Sequence, residues 1–165
     1  MLTRKTAALA LVVFAAVALP AVAAAGATHF VETFTNEPAS WFGPDPCVDK
    51  LVTGTGLESG TVSIVETANG GAHVRVDVQG TVDLYEATNP DPEDPQPGAF
   101  VGTWTYEVHV NEQVAPGGQG TISGVIAGPF VLADGTVRRR QVSFHLTLQS
   151  DGPPKVFFAK SVCAG

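Results

Sequence analysis

From residue 28 onward, almost every stretch of this chain alternates polar and apolar residues, then stops at a cluster of glycine, proline, asparagine or aspartate. A period of two buries one face of a pleated strand and leaves the other in water, whereas a helix needs apolar residues every three or four positions. No segment after residue 27 sustains the helical spacing, so the fold class is all-β. The candidate strands are 28–35, 49–58, 61–68, 72–79, 81–87, 99–111, 119–133, 137–149 and 155–162. Ser59-Gly60, Asn69-Gly70-Gly71 and Asp134-Gly135 are hairpin signals, because Gly and Asn reach the positive φ that tight turns require. Each strand then pairs with the next in an antiparallel meander of eight to nine strands. Such a meander removes its edges by becoming a closed or nearly closed β-barrel, and the alternative is a two-sheet β-sandwich.

The first 27 residues are of a different kind. Arg4 and Lys5 precede an apolar run that ends in small residues, the layout of a secretory signal peptide with cleavage after Ala23, Ala25 or Ala27. Residues 1–27 are therefore expected to be a signal peptide and 28–165 a single exported domain, extracellular once cleaved. Cleavage removes two of the nine basic residues and none of the sixteen acidic ones. The remaining excess of carboxylates disfavours nucleic acid and anionic membrane surfaces, both of which are held by Lys and Arg. The roughly 138 residues left suit one core, and a monomer.

Cys47 and Cys163 are the only cysteines. In an exported chain they read as one disulfide, and neither sits in a CxxC or beside a His, so redox and zinc chemistry lack support. Closing so long a loop stabilises by about 4–5 kcal/mol in the chain-entropy picture. The pairing also bears on topology. A straight strand over 72–87 makes seven strands between the cysteines and leaves them at opposite ends, so a reversal or sharp bend is expected near Gly80.

No catalytic constellation stands out. Along the strand around Trp104, Phe100, Trp104, Tyr106, Val108 and Val110 share one face, and Glu107, His109 and Asn111 the other. Phe144 sits on the apolar face of a later strand. His73, His109 and His145 all fall on polar faces, with no HxH or HxxxH spacing to gather a metal, so neither metal nor cofactor is expected. Arg138 and Arg140 share the parity of Val142 and Phe144, which aims two guanidiniums inward at a barrel mouth, where a ligand carboxylate could bind. The segment ASWFGPDPC, residues 39–47, reads as a loop that places Trp41 and Phe42 over one barrel end. They form either a plug resting on side chains or a lid over a cavity that reaches Trp104 and Tyr106. The acidic proline run NPDPEDPQPG, residues 89–98, reads as a stiff exposed connection.

The combination of PDPC at 44–47, ANGGAHVRVDVQG at 68–80 and VFFAKSVC at 156–163 resembles a group of small secreted bacterial proteins with an early Pro-Cys, a central NGGxH strand turn and a C-terminal Cys. The resemblance implies a similar barrel-like fold and no catalytic residues. The reading that follows is a secreted non-enzymatic β-barrel protein that binds a small apolar ligand or an extracellular partner. The ligand-binding candidates are Trp41, Phe42, Trp104, Tyr106, Phe144, Arg138 and Arg140. The alternatives are a small barrel enzyme of cyclase or isomerase type, working through inward-facing Glu107 and His109, and an extracellular enzyme inhibitor.

Overall fold

The computed structural model describes residues 27–149 and 152–165; the signal peptide expected over 1–27 lies outside them, apart from Ala27. The strands are β1 (Thr28–Asp45), β2 (Lys50–Glu66), β3 (Ala72–Ala87), β4 (Pro97–Val114), β5 (Gly120–Leu132), β6 (Val137–Gln149) and β7 (Gly152–Ala164). They lie side by side in sequence order in one sheet, and every neighbouring pair is antiparallel. The all-β antiparallel meander is present, with two differences from expectation. The described residues form seven strands instead of eight or nine, and β1 and β7 are free edges of a single sheet that is neither closed by a ladder nor split into a sandwich.

The lower count comes from longer strands. β2 passes straight through Ser59 and Gly60, because these residues face a bulge in β1 between Phe34 and Glu37. There the Asn36 N–H donates to Ser59 Oγ at 2.9 Å. Asn36 itself adopts a φ of 55°, a conformation Asn tolerates better than most residues. β3 likewise runs unbroken through Gly80, so the expected reversal is absent. With 49–58 and 61–68 merged into one strand, the six strands β2 to β7 follow Cys47, and an even number returns the chain to the end it left. The disulfide therefore forms without a bend at Gly80, with an S–S distance of 2.03 Å and a Cα–Cα distance of 5.1 Å. The stretch holding Trp41 and Phe42 is not a loop either. It is the second half of β1, paired with β2 from Ala39 opposite Gly56 to Asp45 opposite Lys50.

Register carries one set of side chains across the sheet in rows. One row joins Gly56, Val82, Trp104, Phe130 and Arg138, and the next joins Glu58, Gly80 and Tyr106. This inner face holds the core, where Val52, Val82, Leu84, Trp104 and Phe130 are buried. Large side chains fit there because glycines sit opposite them. A Cβ on Gly80 would lie 2.6 Å from the Tyr106 ring, one on Gly102 2.8 Å from Phe130, and one on Gly124 2.6 Å from Phe144. Missing side chains let the rings lie flat on the neighbouring backbone, a standard reason for glycine inside a strand.

Gly80→Ala is expected to cost about 1–3 kcal/mol of stability, seen as a lower urea midpoint at unchanged slope. Because the new methyl meets Tyr106 itself, the Gly80→Ala/Tyr106→Ala double variant should lose less than the two single losses added together. Simple additivity would contradict this socket.

Candidate functional site

Of the residues expected to bind a ligand, Trp41, Trp104, Tyr106, Arg138 and Arg140 gather at the disulfide end, where they seal the sheet. Trp41 meets Trp104 edge-on at 5.3 Å between ring centroids, and Tyr106 stacks against Trp104 at 5.0 Å. Trp104 is 0 % exposed. Beneath Trp41 lies the Trp104 ring, a side chain where the lid reading needs a cavity. Phe42 points to the opposite face of β1, in register with Thr53, and both are buried. Phe144 is half-buried farther along β6, over Gly124.

The arginines do not present themselves at a mouth. Arg140 is 0 % exposed, with its guanidinium carbon 4.5 Å from the Trp41 ring centre and 4.0 Å from that of Trp104. Its Nη1 lies 3.1 Å from Asp45 Oδ2, with both side chains wholly buried. That contact is off the line of an aligned hydrogen bond, so Nε, Nη1 and Nη2 of Arg140 have no hydrogen-bond partner among the described residues. Charge attraction and the two indole faces hold the cation in place of directed bonds. Burial pulls the guanidinium down to about 10, partly offset by Asp45, so it stays charged at neutral pH. The other oxygen of Asp45 accepts the Cys47 N–H at 2.8 Å, and Arg138 Nη1 donates to the Cys47 carbonyl at 3.2 Å. Arg140 also pairs in register with Cys163. The ion pair and the disulfide thus tie β1 to β6 and β7 at the same place.

The polar face carries the remaining candidates. His109 Nδ1 stands 2.8 Å from Asp77 Oδ1, and Arg75 Nε donates to Asp77 Oδ2 at 2.6 Å. Arg75, then His109, hold the Asp77 carboxyl below the usual carboxylate range. Glu107 and His109 are exposed on the face opposite Trp104, so the inward acid–base pair of the isomerase reading is not assembled. His73 and His145 are exposed on that same polar face. Among the described residues no group of three or more His, Cys, Asp or Glu is placed to hold a metal ion. On the inner face Tyr106 donates to Glu58 Oε2 at 3.0 Å, and burial followed by the Glu58 charge pushes its phenol up. Glu112 shares that face with Val110 and Val114, and burial pushes its carboxyl up.

Two hollows stand out, and neither holds the expected ligand residues. One of about 570 Å³ is an open groove at the far end, lined by Thr67, Asn69, His73, Gln113 and Thr147 among others. The other, about 280 Å³, lies beside Phe100 and Leu132. Both are open to solvent, and neither leads behind Trp41.

A different feature is more suggestive. On the first half of β1, Phe30 on the inner face is 48 % exposed and Val31 on the outer face 52 %, while Phe158 on β7 is 53 % exposed. These strands are the two free edges. The β7 sequence carries Pro153, Pro154, Lys155 and Lys160, residue types that discourage edge pairing, but residues 28–35 carry no proline or lysine. The alternation in THFVETF marks a strand; that it would be an edge, guarded there only by Glu32 and the bulge after Phe34, follows only from the strand count.

No family model, curated protein or solved structure matches the chain.

Asp45→Asn is expected to cost about 3–5 kcal/mol in chemical denaturation, because it leaves Arg140 buried without its counter-charge. Replacing both, as Asp45→Asn/Arg140→Met, should cost less than Asp45→Asn alone. An Asp45→Asn variant as stable as the parent would contradict a buried ion pair that holds this end shut.

Proposed function

We propose that the chain is an exported, non-enzymatic binding protein that engages an extracellular partner along the open flank formed by the first half of β1. The observation that carries this reading is the exposure of Phe30 and Val31 on the first half of β1, whose outer edge has no ladder partner. Exposed apolar side chains along an unpaired edge are what natural sheets avoid unless something covers them. Storage of a small apolar ligand has less support, since Trp104 fills the space beneath Trp41. Catalysis has less still, with Glu107 and His109 on the solvent face. In this reading the sealed end supplies rigidity and the flank supplies recognition.

A photo-crosslinking residue placed at Phe30 or Val31 in the exported protein should give one discrete heterologous adduct in the medium of the producing cells. The same residue at Thr105 or Ser123, on the convex polar face, should give none. Equal yields from all four positions, or adducts at none, would remove the flank as the binding site.

A further inference from the structure

We infer that the partner adds one extended segment as a strand along Thr28–Phe34 of β1 alone, antiparallel to it and with a Lys or Arg opposite Glu32; this rests on the flank being the binding site. Geometry bounds the seat. Six successive antiparallel pairings separate β1 from β7, so the two edges run the same way. The Cα atoms of Cys47 and Cys163 are 5.1 Å apart, about one strand spacing, which fixes how the edges lie alongside each other. β7 begins at Gly152, eleven residues before Cys163, and the residue eleven before Cys47 is Asn36. Asn36 also lies in the bulge where the β1 register shifts between Phe34 and Glu37. The part of β1 ahead of the bulge therefore extends past the start of β7, and its outer edge has no ladder partner among the described residues.

Three side chains give the seat its chemistry. Thr28 donates to Glu66 Oε2 at 2.7 Å, His29 Nε2 lies 3.0 Å from Ser63 Oγ, and Thr33 Oγ1 lies 3.5 Å from Thr61 Oγ1. Those three are engaged with β2. Phe30, Val31 and Glu32 are exposed, and Glu32 faces Val62 in register, with Phe30 and Phe34 on either side of it on the inner face. No hydrogen bond or ion pair among the described residues involves Glu32.

A carboxylate on a free edge discourages indiscriminate pairing, and this one also discriminates between strands. A second copy paired about Val31, which uses all of 28–34, sets Glu32 against Phe30. Paired about Glu32, it sets the carboxylate against its own copy. Paired about Phe30, it sets Glu32 against Thr28, whose hydroxyl is already donated to Glu66, and uses only 28–32. None of these gives Glu32 a cation. A different chain with Lys or Arg at that position gains an opposite-charge pair across the ladder, and its apolar neighbours cover Phe30 and Phe34. Acidic strands and the chain's own edge are rejected by the same group. Antiparallel pairing has the stronger ladder per residue. From its N-terminus, the expected segment reads apolar, polar, basic, apolar, apolar and two polar residues, set opposite Phe34 back to Thr28.

The test supplies such a strand in cis. Val-Thr-Lys-Val-Val-Thr-Thr-Asn-Gly is inserted between the export signal and Thr28, so that the Asn-Gly turn folds it antiparallel onto β1, and amide hydrogen exchange of the secreted protein is followed by NMR. Outward-facing amides within 28–34 should slow by about tenfold or more relative to a Gly-Ser extension of equal length, while those of 158–162 stay unchanged. With Glu in place of the Lys, the protection should fall several-fold, and Glu32→Lys should restore it. No slowing with the Lys extension would overturn the inference. So would equal slowing with Lys and with Glu, since Glu32 would then select nothing, and so would slowing that reaches 158–162. Slow 28–34 amides in the unextended chain would mean that the edge is already covered, by a second copy if ultracentrifugation shows a dimer, and would overturn it in either case. None of these results depends on a native partner, so failure here with positive crosslinking removes the strand mode and keeps the flank. Success here without crosslinking keeps the seat and removes the partner.

Discussion

The fold depends on a single point where two sheet edges are brought together. Cys47 sits just beyond β1 and Cys163 near the end of β7, and their disulfide crosses the gap that the hydrogen-bond ladder leaves open. Beside it, Asp45 of β1 and Arg140 of β6, the register partner of Cys163, form a fully buried ion pair, roofed by Trp41 and floored by Trp104. Buried charge pairs contribute little net stability compared with apolar replacements, but they tolerate few alternative arrangements, because either charge alone in that position is costly. The pair thus acts chiefly to fix which residues meet, while the disulfide limits how far they can separate. A sheet with this end closed must curl, and the inner glycines let it curl tightly around large aromatic side chains.

Much of this was legible in the sequence. Period-two alternation gave an all-β meander, the Asn69-Gly70 and Asp134-Gly135 signals mark real turns, with φ near 84° at both glycines, and the two cysteines could only pair with each other. Strand continuity was not legible, for a physical reason. Glycine inside a strand and glycine in a turn look alike in one dimension. Ser59-Gly60 resembles a hairpin, yet it faces a bulge in β1, and Gly80 resembles a break, yet it is the seat of the Tyr106 ring. Parity was the available signal: Gly54, Gly60 and Gly80 all occupy positions that alternate with polar residues on the outer face. The candidate site was legible in part. The inward aim of Trp104, Tyr106, Arg138 and Arg140 was correct, but parity reveals a face and not its occupant, and Asp45 was the partner that the sequence did not point to. Trp41 and Phe42 were misplaced because three chain-breaking residue types around them suggested a loop, where the chain keeps pairing.

The contrast between the two ends connects architecture to function. At the disulfide end aromatic, aliphatic and charged groups fill the interior, which leaves no space for a guest. At the other end the first half of β1 is exposed on both faces and along its edge. Evolutionary tolerance of such an edge is easiest to understand if it is covered when the protein works.

The central claim is that the disulfide and the ion pair beneath it hold one end of an otherwise open sheet together. The most direct measurement is chemical denaturation of the Cys47→Ser/Cys163→Ser variant, monitored by tryptophan emission in the absence of denaturant as well as through the transition. The account predicts a loss approaching about 4–5 kcal/mol and a red-shifted native emission, as Trp41 separates from Trp104 and water reaches Arg140. A variant within about 1 kcal/mol of the parent, with unchanged native emission, would contradict it.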